Sequence, residues 1–567
     1  MVSAPKRTLQ VTRGPGGAWS RRAVLAAPVA LAGAVHGVRA DDTGSAPRVY
    51  RNLTGYDGHG PIEIVVVSHD PVLDDPLIMA GPAGGPGDPL PQPRYRKYDP
   101  DTDRHVFRVT VPALDRPGPI DIVFRDRVLA TLSLSDGLYQ TPLAEALRSF
   151  YIQRCGQPLN DPANGLRHRP CHTDDRFLVA DAEAGTVDPV GGWHHGDSYD
   201  KTVGVCAMVT ALILGAYADH PAQFPDAQAG IPESGNGRSD ALDEMVFGLN
   251  WLIGLQGTDG LLRGGIVGAP ATRDRMPQDD TGRRRLLPPD LAATALAAGA
   301  LLQAARVFEA AGGAEATSFG AHGRKALDAV ERAVAKTPGA LDQAAWSARI
   351  WALGEWALLT GERVAHRDFC LAWSGRGFTD PHAGEAAGFA ALSALTAAGP
   401  DPFNILKSLE DAVTVWTADA LARADQSPFG IVPARFAAQS NARVAMAGVI
   451  LAHGAVRAGS GAGAKRQRAG ALDHLHYLMG RNAIGKRFIS GAGPNDIQAL
   501  AHPMALAGRV ILPGFVVAGP HAEPDDGATP QGRGAASHAD RAQAYASNGA
   551  SLTATAGLAA LIARLDD

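Results

Sequence analysis

The sequence has no strong excess of charge of either sign, and this lack excludes several kinds of partner. Its 53 Lys and Arg residues nearly balance its 58 Asp and Glu residues, and the formal net charge is −5. It contains no basic block and no basic stripe interleaved with aromatic residues, so no nucleic-acid partner is expected. Aromatic residues make up only 6% of the chain. Because sugar-binding proteins usually stack aromatic rings on sugar faces, this composition argues against strong carbohydrate binding.

Long apolar runs are also scarce, and the most prominent one lies near the N-terminus. Residues 1–40 contain the pair Arg21 and Arg22, an apolar run from Ala23 to Val35 and a small-residue cleavage site. This pattern predicts a twin-arginine export signal that is removed from the mature chain. A membrane anchor is the alternative, but the run is short and is interrupted by a proline. No other stretch approaches transmembrane length, so we predict an exported protein, periplasmic or extracellular, with no integral membrane segment.

The 567 residues suggest more than one domain, and the sequence pattern changes near Thr141. Between about residues 46 and 138, short β-branched runs such as 62–68 and 105–111 alternate with clusters of Gly, Pro and Asp. This alternation predicts a small β-sandwich. From residue 141 to 567 the chain is rich in Ala and Leu, with apolar residues recurring every three or four positions. We therefore predict a mainly α fold, in which about a dozen helices form a barrel of helical pairs after the sandwich. Among the predicted helices are those that begin at Val203, Leu291, Gly323, Gln343 and Ala469, and one over residues 384–396.

Six motifs occur in a fixed order along the chain. They are Asn52-Leu-Thr-Gly-Tyr56, the pair Phe150–Gly156 and Arg169–Asp175, Gly191–His194, Ile231–Glu244, Tyr477–Asn482 and Pro513–Pro520. Together they resemble glycoside hydrolase family 9, the cellulase family in its form with an N-terminal immunoglobulin-like domain. The resemblance implies an immunoglobulin-like β-sandwich at 46–138 and an (α/α)6 barrel at 141–567. It also implies inverting, endoglucanase-type hydrolysis of β-1,4-glucan in an open cleft.

Cysteine is scarce, with four residues in the chain. Cys206 and Cys370 lie in apolar helical patterns and are predicted to be small buried side chains. Two thiols and two imidazoles elsewhere could form a closed structural zinc site. These are Cys155, Cys171, His172 and His194. By spacing alone a disulfide or buried thiols remain the stronger alternatives, whereas the matching positions of the family bind Zn²⁺, which favours the metal. His168 and His195 are alternative ligands.

The first catalytic motif of the family is altered in this chain. Inverting glycosidases need two carboxyl groups about 6.5–9.5 Å apart, one to deprotonate water and one to protonate the leaving oxygen. The family takes its base from the second Asp of D-A-G-D, and an ungapped alignment puts His195 and Ser198 at its two Asp positions. A shift of one residue puts Asp197 at the second position instead. We favour the ungapped alignment, since it keeps the following Tyr and Lys in step. Asp197 and Asp200 are then the nearest carboxylates, with loop capping or solvation as the alternative for both.

The second catalytic motif has lost its acid. The family's Y-x-x-N-E context matches Tyr545 and Asn548, but the acid position is occupied by Gly549, which has no side chain to donate a proton. Asp540 lies nine residues upstream. The family's sugar-binding P-H-H-R segment keeps one histidine, His502, which could equally be an ordinary loop residue. The resemblance therefore implies His502 and Tyr545 as substrate contacts in a site without its general acid.

Three functions remain open on this basis. A general acid or base typically contributes roughly 10²–10⁴-fold to the rate, so hydrolysis is expected to be weak or lost. The first function is an active β-glucanase that uses Asp197 as base with a relocated acid. The second is a non-catalytic protein that binds β-glucan or a related polysaccharide. The third is a glycosidase of changed specificity.

A second ion is suggested by the oxygen-rich segment Ile231–Glu244. Its carboxylates, amides and hydroxyls are hard ligands of the kind that Ca²⁺ prefers. A capped helix start, with Ser239 or Asp240 as the cap, is the alternative that the pattern favours. Binding of Ca²⁺ by this segment is therefore the alternative to a capped helix start.

Overall fold

The structure is a computed structural model that describes residues 46–57, 61–81, 87–113, 118–178, 187–268, 274–376, 405–432 and 435–566. The predicted export signal at 1–40 lies outside these residues. So does the helix predicted for residues 384–396.

Eight strands fill the N-terminal part of the described chain and form two four-stranded antiparallel sheets. They are β1 Arg48–Tyr50, β2 Ile62–Ser68, β3 Ile78–Ala80, β4 Asp88–Pro89, β5 Arg94–Asp99, β6 Arg104–Val111, β7 Ile120–Phe124 and β8 Arg127–Leu132. The strand orders are β1-β2-β6-β5 and β4-β3-β7-β8. Side chains from both sheets, among them Ile64 of β2 and Ile122 of β7, share one hydrophobic cluster. The two sheets therefore enclose a core of their own.

Strand β2 is buried on both faces, which explains its nearly continuous apolar sequence. Successive side chains of a strand point to opposite faces. Ile64 and Val66 belong to the core between the sheets, whereas Val65 and Val67 belong to the larger core that includes the helices. The outer face of this sheet is thus covered by helices, and the strand lacks the polar alternation of a solvent-facing edge.

Helices dominate the chain after residue 139. In the described residues they are α1 Gln140–Ile152, α2 Val203–Asp219, α3 Asp240–Gly254, α4 Leu291–Ala310, α5 Ala316–Lys336, α6 Gln343–Thr360, α7 Arg363–Arg376, α8 Ile405–Gln426, α9 Ser440–Arg457, α10 Ala462–Leu478, α11 Pro503–Gly508, α12 Tyr545–Asn548 and α13 Leu552–Leu565. Three short strands, β9 Lys201–Thr202, β10 Gly265–Gly268 and β11 Arg284–Leu286, form a small antiparallel sheet.

The central helices pack side by side through small residues. Helix α2 packs on α4 and α13, α4 also packs on α6, and α13 also packs on α9. Helices α1, α3, α5, α8 and α10 flank this central set. Gly299 of α4 shows how close the approach is, since a Cβ there would lie 2.3 Å from the Trp351 ring of α6. The fold is therefore mostly helical.

Helix α4 corrects one sequence-based expectation. We predicted no further stretch of transmembrane length, yet the 20 residues Leu291–Ala310 are long and apolar enough to cross a membrane by length and composition. However, 78% of its most apolar window is buried inside the fold. The core helix of a soluble protein meets the same criterion. Helix α4 is thus weak support for a membrane segment.

A buried network of ion pairs around Asp473 connects the sheets to the helices. Arg481, in the loop after α10, donates to Asp473 Oδ1 at 2.6 Å and to the backbone oxygen of Glu63 in β2 at 3.0 Å. Arg108 of β6 donates to the other oxygen of Asp473. Arg481 is fully buried. The Tyr477–Asn482 motif therefore holds the arginine that joins β2 to α10.

Candidate functional site

Four potential metal ligands converge next to the loop that carries Asp197. The ligand atoms of Cys155, Cys171, His172 and His194 all lie within 4.8 Å of one another, and all four residues are buried. Backbone pairing sets two of them side by side, since Cys155 N–H donates to Gly192 O and His194 N–H donates to Gln153 O, each at 2.9 Å. His172 adopts a φ of 49°, an uncommon conformation for a non-glycine residue. The structure thus brings together the four residues that the sequence singled out.

The surroundings of this cluster suit a cation held by thiolates. The His172 Nε2–H donates to Asp280 at 3.3 Å, an arrangement that orients a ligating imidazole. The buried Nδ1 of His194 has no hydrogen-bond partner among the described residues. Both cysteines are free thiols. Two thiols and two imidazoles at these distances could hold Zn²⁺.

The charge of a buried lysine favours the thiolate form of one of these cysteines. Lys201 Nζ lies 3.3 Å from Cys155 Sγ and 3.0 Å from Asp175. Burial alone would raise the pKa of Cys155, but hydrogen bonding with Cys171 and the Lys201 charge lower it well below its usual range. The Cys171 pKa is raised, chiefly by its hydrogen bond to Cys155. Cys155 is therefore the thiolate of the pair, which is the form that ligates metals.

The two alternative ligands lie outside the cluster. His168 uses Nδ1 in a contact of 2.7 Å with its neighbour Arg169 O. His195 uses Nε2 to accept the Thr202 N–H at 3.0 Å. Neither belongs to the group of converging ligand atoms.

The two segments that the resemblance matches to the family's catalytic motifs meet near the N-terminal ends of α2 and α13. Gly196 and Ser551 form an antiparallel backbone bridge. A Cβ at position 549 would lie 3.1 Å from Asp197 Cβ and 3.5 Å from its Oδ2. Asp197 therefore lies directly against position 549, where the resemblance predicts the family's acid.

A cavity of about 410 Å³ opens beside this pair. Its polar lining includes His195, Asp197, Gln439, Arg443 and Ser551. Ser198 does not line it, so Asp197 is the one of the two candidates for the second Asp position that faces this space. No aromatic residue is among its described lining. The low aromatic content of the sequence is thus reflected at this cavity.

His195 is not arranged as a general base. Its Nε2 accepts the Thr202 N–H, so the proton of the neutral ring lies on Nδ1. Burial lowers its pKa to about 4. The imidazole is therefore neutral near pH 7, with its lone pair already engaged by Thr202.

The other nearby carboxylates are held elsewhere. Asp200 accepts the Gly268 N–H at 2.7 Å. Asp540 accepts Lys486 Nζ at 2.7 Å and the Ala499 N–H at 2.9 Å. Burial alone would raise the pKa of Asp540, but these hydrogen bonds lower it overall. A carboxyl group with a lowered pKa is ionised near pH 7 and is a poor proton donor.

The predicted substrate contacts have different environments. His502 is 1% exposed, accepts the Met504 N–H on Nδ1 at 3.1 Å and contacts Gln153 through Nε2. It caps the short helix α11, and in this conformation its ring is closed to a polysaccharide. Tyr545 is half-buried at the start of α12, and Asn548 donates to Ala499 O at 2.7 Å. Tyr545 therefore stays a candidate contact, whereas His502 has a structural environment.

The carboxylates of the oxygen-rich segment accept hydrogen bonds from neighbouring protein groups. Arg154 donates to both Glu233 and Glu244 at 2.9–3.1 Å. Asp240 accepts the Ala229 N–H at 2.7 Å. Helix α3 begins at Asp240, but Ser239 makes no cap hydrogen bond. These carboxylates thus have protein donors, and neither predicted cap acts through its side chain. Sequence reasoning missed Arg154, although it directly precedes Cys155.

The packing around Gly549 yields a stability prediction. In Gly549→Ala the new Cβ would lie 2.6 Å from Tyr545 O as well as against Asp197, so the backbone must shift. We expect a loss of about 1–3 kcal/mol in unfolding free energy, typical of overpacking, measured by urea denaturation. Gly461→Ala, where a Cβ meets nothing within 4 Å, is the control. Equal stability of Gly549→Ala and wild type would contradict the tight packing.

Comparison with known proteins places this site in a family. The family model described as glycosyl hydrolase family 9 matches residues 139–562. The xyloglucan-specific endo-beta-1,4-glucanase BoGH9A of Bacteroides ovatus is 26% identical over 473 residues, covering 75% of this chain and 78% of that protein. Endoglucanase C of Cellulomonas fimi is 24% identical over 539 residues, covering 85% of this chain and 48% of that protein.

Solved structures share the architecture. A metagenome-derived glycoside hydrolase family 9 endoglucanase superposes with a TM-score of 0.78 at 26% identity, covering 92% of this chain and 99% of that one. A zinc-binding triple mutant of the family 9 endoglucanase J30 superposes with a TM-score of 0.76 at 22% identity, covering 90% and 99%. The mostly helical fold is that of the (α/α)6 barrels of these enzymes. The chain belongs to glycosyl hydrolase family 9.

Proposed function

We propose that the protein binds β-1,4-glucan or a related polysaccharide at the N-terminal ends of α2, α9 and α13, and that its hydrolytic activity is weak or lost. One observation carries the proposal. Asp197 lies against Gly549, and it is the one carboxylate among the described residues that line the adjacent cavity. Inverting hydrolysis requires a second carboxyl group across the glycosidic bond.

The chemical reason for the proposed loss of hydrolysis is the lack of an acid for the leaving group. A glycosidic oxygen leaves poorly unless it is protonated, and Gly549 offers no proton. Asp540 is ionised and bonded to Lys486. His195 has its lone pair engaged by Thr202. Of the groups considered from sequence, Asp197 is therefore the candidate base, and none of them is a candidate acid.

A second candidate function is supported by the position of Asp197. Because its side chain lines the cavity, it could serve as base for an active β-glucanase whose acid comes from another segment. The relatives named as endoglucanases favour this chemistry. The two candidates differ in whether the wild-type protein turns over.

The test is reducing-sugar release from carboxymethyl cellulose by the wild type, Asp197→Ala and the control Asp525→Ala, whose carboxylate is exposed. We expect all three to release little more than the blank. Robust release by the wild type and by the control, abolished in Asp197→Ala, would overturn the weak-activity proposal and support the second candidate. A parallel pull-down on insoluble cellulose tests binding independently of turnover.

We also propose that Cys155, Cys171, His172 and His194 hold a structural Zn²⁺. The convergence of their ligand atoms supports this, and one structural neighbour is a zinc-binding triple mutant of a family 9 endoglucanase. When bound, the ion would tie the end of α1 to the loop that carries Asp197. The remaining proposals are an immunoglobulin-like identity for the two sheets at 46–138, a barrel domain at 141–567, and export through residues 1–40.

A further inference from the structure

We propose that the cavity beside Gly549 binds the carboxylate of an acidic sugar, a uronic acid residue of a β-linked polysaccharide, through Arg443. This inference rests on the proposed polysaccharide binding and adds the substrate class. It joins three features of one cavity: a cation without a partner among the described residues, a nearby hydrogen-bond acceptor and a set of neutral donors.

The cation is the first of these observations. Arg443 lines the cavity and is half-buried, and its guanidinium has no hydrogen bond or ion pair with any residue in the described part of the chain. Comparably covered arginines elsewhere are paired, Arg306 with Glu355 at 2.8 Å and Arg349 with Glu331 at 2.6 Å. A partly buried guanidinium without an anion is costly. Arg443 is therefore the unusual member of the group.

The position of Arg443 near the N-terminal end of a helix also favours the binding of an anion. It is in the first turn of α9, which begins at Ser440. The N-terminal end of a helix carries partial positive charge, so a cation there is disfavoured unless an anion binds it. Apolar side chains, including Val205, Met208 and Leu552, also line the cavity. They lower the local polarity and strengthen an ion pair with a ligand.

The remaining polar groups select a hydroxylated ligand. Asp197 is an acceptor in the same cavity, suited to sugar hydroxyls. The Gln439 Oε1 accepts the Ser551 hydroxyl at 2.5 Å, which leaves the Gln439 amide N–H groups as donors. A volume of about 410 Å³ is within the usual range for small-ligand sites. The combination fits one sugar residue with a carboxylate at one end and hydroxyls at the other.

Other ligand classes fit less well. A neutral glucan would leave Arg443 without an anion. A phosphate dianion would be repelled by Asp197, which shares the cavity, more strongly than a singly charged carboxylate. A carboxylate carries one negative charge and matches the planar fork of a guanidinium in a bidentate pair. The geometry therefore favours a uronate.

The test is isothermal titration calorimetry with three tetrasaccharides of the same β-1,4 backbone. They are the oligoglucuronate, the same molecule with its carboxylates converted to amides, and neutral cellotetraose. We expect the oligoglucuronate to bind about 10- to 100-fold tighter than its amide, as for a charge-assisted pair. Arg443→Gln should remove this difference. Arg443→Lys should retain part of it, since Lys keeps the charge without the fork.

Controls separate the outcomes. Arg435→Gln, at an exposed arginine outside the lining, should bind like the wild type, and thermal melts check that each variant folds. The comparison of acid with amide needs no variant. Equal binding of acid and cellotetraose would overturn the uronate inference and leave the proposed function standing. Binding of none of the three would overturn both. Equal binding of a sulfated cellotetraose would replace carboxylate recognition with general anion binding.

Discussion

Replacing Cys171 with alanine is expected to remove about one zinc ion per chain and to lower the unfolding free energy by more than about 3 kcal/mol, the range for loss of a metal or buried network. The cluster holds two thiols and two imidazoles within 4.8 Å of one another, and removing one thiol leaves an incomplete tetrahedral set. The loop that carries Asp197 would no longer be connected to the end of α1 through the metal. Elemental analysis and thermal melting, each with and without a chelator, measure the two effects.

The chain offers a matched control for this experiment. Cys206 is also a buried free thiol, but it bonds to Gly248 O and lies outside the cluster. Burial raises its pKa, so it stays a thiol. Cys206→Ala should keep the zinc and lose little stability. Zinc-free wild-type protein, or a Cys155–Cys171 disulfide in the mature chain, would refute the metal site.

Replacing Asp473 with asparagine should destabilise the protein by about 3–5 kcal/mol, as breaking a buried ion pair does. Arg481 would keep its charge in a fully buried position with its carboxylate partner removed. Arg108 would lose the same partner. Urea denaturation compares the variant with Asp425→Asn. Asp425 pairs with Arg466 at the surface, with side-chain exposures of 58% and 62%, so that loss should stay below about 1 kcal/mol.

The same carboxylate predicts a pH dependence. Burial alone would raise the pKa of Asp473, but Arg481 and Arg108 lower it below its usual value. A folded pKa below the unfolded value gives stability that is present above about pH 4 and is lost as the pH falls through the folded pKa. The advantage of the wild type over Asp473→Asn should therefore shrink below about pH 4. A difference in unfolding free energy between the two proteins that is independent of pH would show that the stabilising effect of Asp473 does not depend on its charge.

Local periodicity located most of the helices and strands. Strand 62–68 and helices beginning at Val203, Leu291 and Gln343 have the predicted starts. Helix α5 begins at Ala316 and α10 at Ala462, each seven residues before its prediction. The added turns hold mostly small and polar residues, which lack an apolar periodic signal. Helices α7, α11 and α12 were missed. The short strand β3 is set by pairing with the distant strand β7, and β4 by pairing with β3.

The sequence alone determined the family motifs, the mainly helical fold and the identity of the cysteine and histidine cluster. Such features depend on residue types and on periodicities of two or 3.6 residues, which can be read locally. Only the tertiary structure decided that Asp197, and not Ser198, lines the cavity beside Gly549. It also decided that Arg443, more than 200 positions further along the chain, shares that cavity without a side-chain partner among the residues that the structure describes. These facts depend on how the N-terminal ends of α2, α9 and α13 pack together, and the register of such packing is a property of the whole fold.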